Sequence, residues 1–285
     1  MYKYFSFSEH SLTNLLNDEI YMNHYESFND PFECRCDIQS GFPERDESSP
    51  RLRDIIRAWG FEDEGDTAAL ESYDDYVFSL ENTEPSIPHI IDGARISCFS
   101  KNADNLLMWS HYADGLRGFC IEFDPDLVLS KFSGNAFIYD VLYKETPAKI
   151  DTAVMAVLND QVDYHEDAIF ASQQEMKHLG KDKQAEIDMY EQCLVGVFKS
   201  NSEIYQKMLA TKPLDWEYEN EMRIICQTML PDERGEFLKY PPQAIKSVII
   251  GEKMPEKQRD TLIGILEKHS SPVILKEALR VGGGI

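Results

Sequence analysis

Short apolar or alternating runs mark strands near both ends of the chain, and stretches with helical spacing fill the space between them. YKYFSF opens as an aromatic-rich strand, and Ser8 then caps a helix through His10 to Leu16 with Glu9 in its first turn. EIYMN reads as a second strand. In SFNDPFEC the turn formers Asn29, Asp30 and Pro31 sit between the aromatic anchors Phe28 and Phe32, which predicts a pinned loop. ARISCFS and GFCIEF have the β-branched and aromatic character of buried strands, with AFIYDVLY as the hairpin neighbour of GFCIEF. EYENEMRIICQTML, GEFLKY, AIKSVIIG and PVILKEAL complete the strands, and a helix runs from Pro255 to His269 with Pro255 near its start.

Two insertions interrupt this pattern. Residues 44–92 hold fourteen acidic and four basic residues, with helices around Leu52 to Trp59 and Ala68 to Leu80, and form a solvated acidic insertion. Residues 152–210 carry apolar positions at helical spacing, broken near Gly180 and Lys181, which predicts two long helices. Strands at both ends with helices inserted imply an α+β fold, mixed and mainly antiparallel, built as a single domain over 1–285. Neither a Rossmann nor a P-loop glycine motif occurs.

Charge narrows the partners. Lys and Arg number 28 against 51 Asp and Glu, a formal net charge of −23 that repels phosphate backbones and anionic membranes. General nucleic-acid and membrane binding are therefore not expected, while the acidic or helical insertion could bind a protein partner. No basic flank precedes an apolar core in MYKYFSFSEH, and no stretch reaches bilayer-spanning length. Six cysteines lie scattered without CxxC spacing, so reduced thiols in the cytoplasm are expected. No two histidines are spaced as metal ligands, so no metal site is predicted.

Three blocks could carry chemistry. Asn29 and Asp30 place polar groups beside aromatic surface, where a carboxylate could hold a substrate hydroxyl; Asn and Asp ahead of Pro also simply close a turn. The second block gathers Ser97, Ser100, Trp109, Ser110, His111 and Tyr112. Its rings could stack on a planar group, its hydroxyls bind a ribose, and His111 move a proton, while Trp109 and Tyr112 could equally be core. Cys98, within ISCFS, reads as an inert thiol. In the third, Glu217, Glu219, Glu221 and Arg223 alternate with Tyr218, Asn220, Met222 and Ile224. Period two would place all four charges on one strand face, lining a cleft or bearing exposed ion pairs.

Together the YKY opening, NDPF, LLMWSHYADG with GFCIEFD, and WEYENEMR resemble the bacterial family known as domain of unknown function 2971. That family's opening strand often continues with Arg where this chain has Phe5, leaving Lys3 as the nearby cation for an anionic ligand. More distantly, the order of strands resembles ADP-ribosyltransferases. That resemblance implies NAD as substrate: Lys3 or Tyr4 would contact the dinucleotide, Ser97 or Ser100 the nicotinamide ribose, and Tyr112 or Trp109 a ring. Glu221 would take the ribose hydroxyl and Glu219 direct the acceptor. It further implies an NAD-consuming transferase or glycohydrolase in a bacterial toxin or antiviral setting. Two alternatives stand beside it: a nucleotide or nucleic-acid hydrolase using Asp30, His111 and Glu221, with a divalent ion as an option, and a non-catalytic sensor or adaptor. A polar cleft beside Glu219 and Arg223 favours an enzyme; a sealed core there favours the adaptor.

Overall fold

The computed structural model describes residues 1–45, 49–61, 67–130, 136–228 and 235–280. The chain is α+β, as its pattern predicts, and divides into two compact units. The first comprises Met1–Cys34, Ile91–Thr146 and Leu209–Ile285; the second comprises Arg35–Ile90 and Pro147–Met208.

A seven-stranded sheet organises the first unit. Its order is Ile274–Ala278, Ile245–Gly251, Phe119–Phe123, Tyr2–Phe5, Ala94–Ser100, Glu221–Gln227 and Ala136–Asp140. All neighbours are antiparallel except the first two, which run parallel because the helix Glu256–Leu266 carries the chain from one to the next. The strand Ala136–Asp140 corrects one expectation. It pairs with Glu221–Gln227 at the far edge, with three strands between it and Phe119–Phe123. Both edges of Phe119–Phe123 are already taken, by Tyr2–Phe5 and Ile245–Gly251, so no hairpin position remains there.

Side chains alternate across the sheet. Phe99, Phe119, Ile121, Phe123, Ile224, Val248 and Ile250 bury one face in an apolar core with Leu15, Ile20, Met22 and Leu262. Leu15 comes from the helix Glu9–Leu16, which Ser8 caps through the backbone N–H of Ser11. The opposite face carries Tyr4, Cys120 and Ile249 against Met108 and Trp109. It also carries Glu221 and Arg223.

Only one residue pair, Tyr2 with Ser100, joins the first strand to Ala94–Ser100. Further along, Ile96 pairs instead with Asn23, its N–H and C=O bonding those of Asn23 at 2.8 Å each. The sheet is thus forked between Tyr2–Phe5 and the Asn23 backbone. Lys3 reaches into the fork, where its ammonium donates to Ser97 Oγ at 2.8 Å and to the Cys98 carbonyl at 2.9 Å.

The second unit is mainly helical. Its long helices Thr152–Leu179 and Gln184–Leu209 are separated by Gly180, whose φ of 65° closes the first of them. Asp151 caps Thr152–Leu179 and also pairs with Arg51 at 2.6 Å. The helices Pro50–Ala58 and Thr67–Ser79 bury Leu52, Ile55, Leu70 and Tyr73 against Ala153 and Val157. Both sequence insertions fall in this unit but for the last two residues of each.

Candidate functional site

The Glu-rich block does not form one continuous strand. Leu214–Glu219 winds as a 3-10 helix, Asn220 turns left-handed at φ 42°, and the strand begins only at Glu221. Pro213, which cannot donate to a ladder, precedes that helix, and Asn tolerates the left-handed turn that ends it. The expectation of four charges on one strand face is corrected accordingly. Glu217 is exposed, whereas Glu219, Glu221 and Arg223 are each at most 3 % exposed.

These three groups and two that sequence reasoning missed form a closed ionic cluster. Lys212 Nζ donates to Glu219 Oε2 at 2.7 Å and to Glu221 Oε2 at 2.6 Å. Arg223 Nε donates to Glu221 Oε1 at 2.7 Å, and its two terminal nitrogens grip Glu33 at 2.6 and 3.0 Å. The Leu209 carbonyl accepts a further bond from Arg223 at 2.6 Å. Such fork-to-fork geometry is what makes burial of a guanidinium tolerable. One sequence signal pointed toward Lys212: in TKPLDWEYENEMR four acids face two cations, Lys212 and Arg223. Nothing in the sequence marks Glu33 as the second partner of Arg223, 190 residues away.

The helix Leu106–Tyr112 closes the cluster. Asn105 caps it through Leu107 and Met108 N–H and donates to the Tyr218 carbonyl, tying the helix to the 3-10 turn. Met108 and Trp109 face inward, and Tyr112, one turn on, donates its hydroxyl to Glu219 Oε1 at 2.5 Å. The following loop returns to the sheet through Gly118, where a Cβ would lie 2.0 Å from the Phe5 carbonyl oxygen, so only glycine fits. Ser100 Oγ donates to the Glu219 carbonyl at 2.8 Å, and Tyr143 Oη accepts the Glu221 N–H at 2.8 Å.

A cavity of about 370 Å³ opens beside these groups. Of the sequence candidates, Lys3, Tyr4, Asn29, Ser100, Tyr112, Glu219 and Glu221 line it. Tyr2, Phe28, Phe99, Cys98 and Lys212 add aromatic, thiol and cationic surface. The remaining candidates lie outside the lining. Ser97 supports Lys3 from behind. Trp109 is buried, donates to the Ala103 carbonyl at 2.8 Å and meets Tyr4 edge-on. Arg223 is sealed behind Glu221. His111 is exposed beside Tyr112 and Tyr218. Asp30 closes its own turn through the Phe32 N–H at 2.9 Å, and its other oxygen has no hydrogen-bond partner among the described residues. Phe32, expected as an anchor, is 49 % exposed; Asp30 does the pinning.

Electrostatics separate the two glutamates. Burial raises both, but Arg223 and Lys212 beside Glu221 hold it well below the ordinary carboxylate range. Glu219 stays raised, because burial outweighs the opposing pull of Lys212 and the bond from Tyr112. Burial works against the Lys212 ammonium too, yet Glu221 and Glu219 lift it above the usual lysine value. Lys3 is lowered by burial, with Glu221 opposing. Burial and Glu221 push the Cys98 thiol well up, which keeps it protonated. Among the described residues, no group of three His, Cys, Asp or Glu is placed to hold a metal ion, and no helix is long and apolar enough to cross a membrane.

Fold and site together define an α+β protein with a small, aromatic-lined cavity, one wall of which is a buried ionic cluster. Residues 108–224 match the model of the family described as "Protein of unknown function (DUF2971)". That stretch holds the MWSHYADG, GFCIEFD and WEYENEMR blocks, over which the family resemblance is borne out; YKY and NDPF lie outside it. No curated protein and no solved structure matches the chain.

Proposed function

We propose that this protein is an NAD-consuming enzyme of ADP-ribosyltransferase-like type, acting as a transferase or a glycohydrolase in the forked cavity. The observation that carries the reading is the Glu219 and Glu221 pair: two carboxylates on one cavity wall, driven to opposite protonation preferences by their surroundings. Divergent pairs of this kind divide the labour of a reaction. A sealed core with no adjoining cavity would have favoured an adaptor, whereas Glu219, Glu221 and Tyr112, although bonded to their neighbours, line a cavity.

The chemistry follows from those preferences. When the bond from ribose C1′ to the nicotinamide nitrogen breaks, its electron pair neutralises the pyridinium and positive charge gathers on the ribose. Glu221, ionised and rigidly held, stabilises that charge and accepts a hydrogen bond from a ribose hydroxyl. Glu219, with its raised proton affinity, takes the proton of the water or acceptor hydroxyl that forms the new bond to C1′. Tyr2, Tyr4, Phe28 and Tyr112 supply ring surface for the planar base, and Lys3 a cation for an anionic group. At about 370 Å³ the cavity suits the nicotinamide end of the dinucleotide. A toxin or antiviral role rests on the resemblance alone. The residues of the hydrolase alternative are less well assembled, since Asp30 and His111 lie outside the lining.

Nicotinamide release from NAD by the purified protein tests the reading, with Glu221→Gln as control at a temperature where both are folded. The wild type should release nicotinamide, and the variant should be slower by about 10²-fold or more. Absence of release with water and with every acceptor offered would overturn it.

A further inference from the structure

Lys212 links the two glutamates of the site. Its Nζ hydrogen-bonds both glutamates, at 2.7 and 2.6 Å, and its side chain is 3 % exposed. It also lies 5.2 Å over the Trp216 ring, whose face adds to its attraction. Within the hydrogen-bonded cluster three carboxylates, Glu33, Glu219 and Glu221, share two cations, Arg223 and Lys212, because the third cation on the wall, Lys3, donates to Ser97 and the Cys98 carbonyl instead. The imbalance falls on Glu219, because Arg223 serves Glu33 and Glu221 and does not reach it. Glu219 is left with half a share of Lys212 and the Tyr112 hydroxyl.

We propose that Lys212 is a positioning residue that divides protonation between the two carboxylates, keeping Glu221 ionised and setting the pH at which Glu219 becomes a base. This rests on the NAD reading for its link to activity, but its effect on Glu219 exists whatever the substrate. The other titratable and charged groups around the pair are Arg223, Glu33, Cys98, Tyr112, Tyr143, Tyr218 and Lys3. Of these, the cations Arg223 and Lys3 make no hydrogen bond to Glu219. Cys98 remains a thiol, and burial pushes Tyr112, Tyr143 and Tyr218 up, so none of them titrates in competition near neutral pH. Without Lys212 the two carboxylates face each other directly, and like charges in one site raise the weaker acid further.

Infrared titration of the intact protein tests this without reference to turnover. The stretch of a buried, protonated carboxyl, assigned to Glu219 by its loss in Glu219→Gln, gives a midpoint in the wild type. In Lys212→Gln that midpoint should rise by about one to three pH units, and Lys212→Arg should bring it back toward the wild type. If Lys212→Gln does not fold, the same comparison is made on a Glu33→Gln background, which restores the charge count of the cluster. Nicotinamide release by Lys212→Gln should fall about tenfold or more at pH 7 and recover as pH rises, since Glu219 must then lose its proton at higher pH. Equal midpoints with and without Lys212, on either background, would overturn the proposal. Absence of release from the wild type would sink the NAD reading and leave the Lys212 result standing.

Discussion

The strand Glu221–Gln227 presents its two faces to opposite environments. Met222, Ile224 and Cys226 enter the apolar core; Glu221 and Arg223 enter the ionic cluster. Ile224 and Arg223 are adjacent, and each is 0 % exposed. On the apolar face burial is non-directional, so many side chains of similar volume could take the place of Ile224. On the polar face each charge is tolerable only because a particular partner meets it with the right geometry. The first face therefore degrades gradually under substitution, and the second should fail abruptly. Such a cluster next to a cavity makes a fragile wall of fixed charges, which is what the proposed chemistry requires.

The largest effect should come from Arg223→Ala, which strands Glu33 and Glu221 without their cation. Urea denaturation should report a loss of about 3–5 kcal/mol, recoverable in large part by adding Glu33→Gln and Glu221→Gln. A loss within about 0.5 kcal/mol, the range of an ordinary surface substitution, would show that the two faces do not differ as described. Next is Ile224→Ala, expected to cost about 2–5 kcal/mol in proportion to the space left behind, with no partner change able to restore it. Recovery by a polar substitution across the sheet would break the contrast from the other side.

Smaller still is the dependence on pH. Glu221 is depressed on folding, so its contribution is complete above the ordinary glutamate value of 4.5 and is lost as pH falls toward its folded value. Glu219 is raised, so its contribution is complete below 4.5 and is lost as pH rises through its folded value. Thermal melting of Glu219→Gln should therefore lack the decline above pH 4.5 that the wild type shows, and Glu221→Gln should lack the decline on the acid side. Parallel melting curves for all three proteins would mean that the pair is not divided.

How much was legible beforehand varies with the range of the interaction involved. Ser8, Gly180, Pro255 and the β-favouring residues of ARISCFS act through their immediate neighbours, so helices and strands could be placed from them directly. The pairing of Ala136–Asp140 could not, because its rival positions beside Phe119–Phe123 were occupied by strands from distant parts of the chain. The third block was read as one strand because period two is blind to a single left-handed residue, and Asn220 is where the pattern breaks. Seven of the twelve candidate residues line the cavity, since polar and aromatic residues clustered in short blocks mark surfaces that meet something other than core.

From its sequence alone the chain settled what local forces decide: an α+β outline, strands at both ends, two helical insertions and the blocks rich in unusual side chains. Folding decided which of those blocks share a wall. Tyr112 meets Glu219 across 107 residues, Arg223 meets Glu33 across 190, and Lys212 stands between two acids that the local pattern assigned to a strand face. The reason is physical: a buried charge is stabilised by whichever counter-charge the fold brings within hydrogen-bonding distance, and spacing along the chain carries no record of that distance.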